Sequence, residues 1–62
     1  MNRRINKMNN KRYELVASNG QVLEHGFEYC IEAMDCMLIY LDKYENEKFS
    51  IREYEKGKYG DD

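Results

Sequence analysis

Ser18-Asn19-Gly20 stands between two short apolar runs, Tyr13 to Ala17 and Val22 to Phe27. Asn-Gly between alternating residues is the strongest short-range hairpin signal, because both residues tolerate the positive φ of a tight turn. The turn restricts the chain to folds that contain a local antiparallel strand pair. Every other element is read outward from it.

Two registers fit this hairpin. A two-residue turn at Asn19-Gly20 places Tyr13, Leu15, Ala17, Val22 and Glu24 on one face. Val16, Leu23, Phe27, Glu14 and His25 then share the other, and both faces are mixed. A three-residue loop, Ser18-Asn19-Gly20, has Gly20 in the left-handed region and a bulge after it. That register gathers Tyr13, Leu15, Ala17, Leu23, His25 and Phe27 and sets Glu14, Val16, Ser18, Val22 and Glu24 opposite. One added residue turns over every later side chain. The three-residue loop separates the charges, so it is the expected register.

A helix is expected next, from about Glu28 to Tyr44. Cys30, Met34, Met37, Leu41 and Tyr44 recur at three- and four-residue spacing as its core stripe, flanked by Ala33 and Leu38 and widened by Ile31. No Ser, Thr, Asp or Asn caps its start, but Glu28 and Glu32 suit the positive end of the helix dipole. Lys48 to Tyr54 reads as a third strand. The expected fold is therefore α+β: a small ββαβ domain with a three-stranded antiparallel sheet, order 2-1-3, and one helix packed on one face. Residues 11–55 form that single domain. Residues 1–10 read as a flexible basic arm or a short extra strand, and residues 56–62 as a frayed acidic tail.

Sixty-two residues allow one domain with a thin stability margin. The two cysteines, Cys30 and Cys36, lie six residues apart, roughly 240° around a helix, so they cannot bridge within it. They read as free buried thiols in a reducing compartment. Met1-Asn2-Arg3-Arg4 opens into polar sequence with no signal-peptide pattern, and no apolar run approaches the roughly 20 residues of a membrane span. A cytoplasmic location is expected.

Net charge is −2, but it is unevenly spread. Residues 1–12 hold Arg3, Arg4, Lys7, Lys11 and Arg12 and no acid. The other fifty residues carry five basic and twelve acidic side chains. A basic arm can touch nucleic acid, whereas an acidic body repels it.

Catalytic chemistry is sparse. The single histidine, His25, reads as a packed side chain near a sheet edge. Ser18 and Ser50 have no expected His–acid partner. Gly20, Gly26, Gly57 and Gly60 form no phosphate loop, and Asp61-Asp62 is too mobile to hold a metal. The chain is expected to be no enzyme and to use no cofactor or metal.

Binding surfaces carry more signal. On a helical wheel Glu28, Glu32, Asp35 and Asp42 form an acidic stripe that contains Ile39. Tyr29, Cys36 and Tyr40 flank it. The expected partner-binding face comprises Glu28, Glu32, Asp35, Ile39, Tyr40 and Asp42, an apolar centre with an acidic rim. The alternative is the bare sheet face, with Val16, Val22, Arg52 and Tyr54. These features, with a composition that fits a low-GC genome, suggest a phage or mobile-element accessory protein. Its function would be to inhibit a host defence or nucleic-acid-processing protein by blocking a basic groove. Two further readings remain open: a dimeric nucleic-acid-binding regulator using the arm, and a self-assembling structural subunit.

Overall fold

The computed structural model describes residues 10–60, in the order β1 (Lys11–Ala17), β2 (Val22–Phe27), α1 (Cys30–Lys43) and β3 (Phe49–Glu55). The strands form one antiparallel sheet with order β2-β1-β3, and the helix packs on one side of it. This is the expected small α+β arrangement. No helix among the described residues is long and apolar enough to cross a membrane.

The hairpin closes through the three-residue loop. The Gly20 N–H donates to the Ala17 carbonyl, and the Ala17 N–H to the Gln21 carbonyl, both at 2.9 Å. Gly20 takes φ 91°, where a side chain would be strained. The Asn19 Oδ1 accepts the Gln21 N–H at 2.9 Å, so the turn is held by its own side chain. Val16 accordingly faces Val22 across the ladder.

The register then shifts twice. Leu23 is extra between Val22 and Glu24, and Gly26 is extra between His25 and Phe27. Gly26 has φ 89°, a bulge conformation that glycine adopts without steric cost. The shifts move two side chains from their expected sides. Glu24 turns toward the helix, where the Tyr40 hydroxyl donates to its Oε2 at 2.8 Å. His25 turns to the opposite face, where it stacks on Tyr59. The sequence carried one visible bulge signal at the turn, and the alternation alone hid the others.

On the other flank β3 pairs with β1 without interruption. Leu15 opposes Ile51, Ala17 opposes Phe49 and Glu14 opposes Arg52. Leu15, Val16, Ala33 and Tyr54 form the buried apolar core.

The helix begins two residues later than expected. Glu28 and Tyr29 precede it, and Tyr29 is extended. With no short polar cap at its start, Glu32 reaches back instead. Its Oε1 accepts the backbone N–H of Glu28 at 3.1 Å and of Tyr29 at 3.2 Å, satisfying donors that the helix leaves unpaired.

The helix is also rotated from its expected setting. Ala33 is its one fully buried residue, while Met34, Leu41 and Tyr44 are exposed together with Cys30. The inward line runs through Ala33, Cys36, Met37 and Tyr40, about 60° around the wheel from the expected stripe. Two contacts set this angle. Ala33 has the smallest side chain available, so it allows the closest approach to the sheet. Tyr40 packs its ring edge-on to Phe49 at 5.6 Å while its hydroxyl reaches Glu24. Cys30 is therefore an exposed thiol rather than a buried one. Cys36 is half-buried, and burial followed by the Glu24 carboxylate pushes its thiol pKa up.

The rotation has a direct test. Ala33→Leu should overpack the contact and cost about 1–3 kcal/mol, whereas Leu38→Ala should lie within about 0.5 kcal/mol of wild type. Thermal melts of the two variants read this, and the reverse order would place the helix in the other rotation.

Candidate protein-binding surface

The sheet face opposite the helix is closed by the chain itself. Glu14, on the central strand, is only 1% exposed. An ionised carboxylate buried so far requires partners. Arg52 Nε donates to its Oε2 at 3.1 Å, Lys58 Nζ donates to its Oε1 at 3.4 Å, and the Tyr59 hydroxyl donates to Oε1 as well. Burial pushes the Glu14 carboxyl up, but the Tyr59 hydroxyl, Lys58 and Arg52 together hold it below the ordinary carboxylate value.

Aromatic packing covers the same group. The Tyr59 ring stacks on His25 at 3.9 Å and meets Tyr54 edge-on at 5.1 Å. The Lys58 ammonium lies 5.5 Å from the Tyr54 ring centre and 5.2 Å from that of Tyr59. The Tyr54 hydroxyl in turn accepts the Gly26 N–H at 2.8 Å, so the bulge is tied to β3.

Two expectations change here. Residues 56–60, expected to belong to a frayed tail, form turns that place Lys58 and Tyr59 on the sheet. Residues 61–62 lie outside the described residues. The sheet face is also not bare. Val16 and Tyr54 are buried, Val22 is half-buried and Arg52 is bound to Glu14, so all four have partners within the fold. The tail's charge count concealed this, because it averages over the one Lys and one Tyr that Glu14 requires.

The outer helix face remains open. Ile31 (64% exposed), Met34 (46%), Leu38 (62%) and Leu41 (38%) follow one another at spacings of three, four and three. Such spacing places four apolar side chains on one continuous strip. Ile39 is 65% exposed beside it. Glu28, Asp35 and Asp42 run along the strip's acidic side and are solvent-exposed, as is Glu32, which also caps the helix. Of the residues expected to form this face, Tyr40 does not: it points to the sheet, and its hydrogen bond to the Glu24 carboxylate raises its pKa. Periodicity alone puts Ile31, Met34, Leu38 and Leu41 in the core or on its flanks, and the structure turns them outward. Their heptad-like spacing was legible, but it did not say which of two adjacent apolar stripes faces inward.

The basic residues divide differently. Arg3, Arg4 and Lys7 lie outside the described residues. Lys11 and Arg12 belong to β1, and Arg12 Nη1 donates to the Lys11 carbonyl at 2.9 Å. Among the described residues no three His, Cys, Asp or Glu side chains gather as a metal site would require.

The Glu14 cluster has a pH signature. Its carboxyl is depressed in the fold, so its contribution is complete above the unfolded value of about 4.5 and is lost as pH falls through the folded one. Wild type should exceed Glu14→Gln by about 1–3 kcal/mol at neutral pH, a modest figure because Arg52 and Lys58 are half exposed. That advantage should shrink on acidification. Denaturant melts of both proteins across pH check this, and an advantage that grows toward acid would contradict the assignment.

No protein-family model, curated protein or solved structure matches this chain, so its surfaces are the ground for a functional reading.

Proposed function

We propose that this chain is a non-enzymatic protein-binding module that docks the outer face of α1 on a partner. The partner's matching surface carries apolar side chains flanked by Lys or Arg. The supporting observation is the exposed strip Ile31–Met34–Leu38–Leu41 beside Asp35 and Asp42. Full burial of one Leu or Ile side chain contributes about 1.5–3 kcal/mol. Four of them, half covered already, are enough for the centre of an interface, and the carboxylates supply its rim.

The charge of the segment selects among partners. Residues 28–47 contain six acids and one base, Lys43. Pairing two copies through this face brings like charges together, which disfavours self-assembly. Nucleic acid is repelled for the same reason. A basic protein groove is attracted. Occupying such a groove is an inhibitory mechanism that needs no chemistry, and it suits a small accessory protein of a phage or mobile element acting on a host nucleic-acid-processing or defence protein.

The test compares tagged wild type with two variants on one host lysate. Leu38→Ser should weaken capture of the partner about tenfold or more, as for a central apolar contact. The combination Glu28→Lys, Asp35→Lys and Asp42→Lys should slow association and reduce its salt dependence. Glu55→Gln, at the far end of β3, should bind as wild type. A partner held equally by all four proteins would remove the helix face from the mechanism. Sedimentation of the free protein should give a monomer, and a dimer abolished by Leu38→Ser would replace the proposal with self-association.

A further inference from the structure

Where the last turns of α1 pass over the hairpin loop, an open cleft of about 340 Å³ lies between them. Leu23, Tyr40, Tyr44 and Phe49 form its walls, and Gln21 and Glu47 stand among its polar residues. The three rings are mutually packed, with centres 5.6 to 6.5 Å apart. Tyr40 is fixed from behind by its hydrogen bond to Glu24, so its ring is a positioned wall rather than a mobile one. The Glu47 N–H donates to the Tyr44 carbonyl at 3.1 Å, which fixes the backbone that carries the acid.

Three features of this cleft attract the same kind of group. Aromatic faces carry negative quadrupole charge. The helix ends here at Lys43, and the last carbonyls of a helix carry its negative dipole charge. Glu47 adds a full carboxylate, which no cation contacts in an ion pair among the described residues. A cation on an apolar stem meets all three, with its stem on Leu23 and Phe49. A planar guanidinium fits better than an ammonium: it stacks flat on a tyrosine ring and still has several donors for the separate acceptors, the Glu47 carboxylate and the Gln21 side-chain carbonyl.

We propose that this cleft is an arginine-binding site that receives one arginine side chain of a partner protein. It deepens the protein-binding reading by naming one side chain of the partner. It occupies the sheet side of the helix end, away from the Ile31–Leu41 strip, so the two surfaces are separable by substitution.

The experiment uses the full chain and the blocked tripeptides Ac-Gly-Arg-Gly-NH2, Ac-Gly-Lys-Gly-NH2 and Ac-Gly-norleucine-Gly-NH2, followed by two-dimensional NMR. The arginine peptide should produce saturable shifts at Gln21, Leu23, Tyr44, Glu47 and Phe49. Tyr44→Leu and Glu47→Gln, each checked for a native spectrum, should weaken that binding about two- to fivefold. The lysine peptide should bind more weakly, and the norleucine peptide should leave the cleft unshifted. Equal response to norleucine would make the cleft a plain apolar groove and overturn the proposal, and equal affinity for lysine would overturn the choice of arginine. Shifts spread along Asp35 and Asp42 without saturation would also overturn it. None of these outcomes touches the helix strip, whose test uses Leu38→Ser and an intact partner.

Discussion

A carboxylate on the middle strand of a three-stranded sheet is the constraint around which this fold is organised. Glu14 is almost wholly excluded from water and must be compensated. Its partners come from β3 through Arg52 and from the turns beyond it through Lys58 and Tyr59. Tyr59 then carries the cluster across the sheet to His25 on β2. For His25 to be on that face the strand must slip by one residue, which it does at Leu23, and the Gly26 bulge slips it back before Phe27. The bulge, the stack and the folded-back turns all serve one buried charge.

That closure determines which surfaces are left. With Tyr59 stacked on His25 and edge-on to Tyr54, the sheet has helix on one side and its own C-terminal turns on the other. Among the described residues the large apolar side chains still in water lie on the helix and at its two caps. Ala33 and Tyr40 fix the helix rotation, and this turns Ile31, Met34, Leu38 and Leu41 outward. A chain of sixty-two residues has little apolar area to spare from its core. Leaving four large side chains outside it, in line and beside an acidic row, is the observation on which the binding proposal rests.

Much of the architecture was legible from residues alone. Ser18-Asn19-Gly20 marks the turn but fits two loop lengths, and setting Glu14 and Glu24 apart from the apolar face selects the three-residue loop that the structure has, although Glu24 itself does not stay on the side of Glu14. The helix and the third strand follow from periodicity. The rotation of the helix was not legible, because a wheel ranks Met and Leu above Ala and Tyr. Closest approach and one hydroxyl–carboxylate bond decided otherwise. Glu24 and His25 lie on the sides opposite to those alternation predicts, because the bulge at Leu23 leaves no mark in an alternating pattern. Tyr59 and Lys58 were hidden in a charged tail, and only the burial of Glu14 shows what they are for.

The closed sheet face is tested most directly by nuclear Overhauser contacts in the free protein. Ring protons of Tyr59 should show cross-peaks to the His25 imidazole and to the Tyr54 ring, and the His25 signals should be displaced by the stacked ring. A Tyr59 ring with no such cross-peaks and with shifts typical of an unstructured peptide would contradict the closure. Glu14 would then be a buried carboxylate compensated only by Arg52, and the sheet face would again compete with the helix as the binding surface.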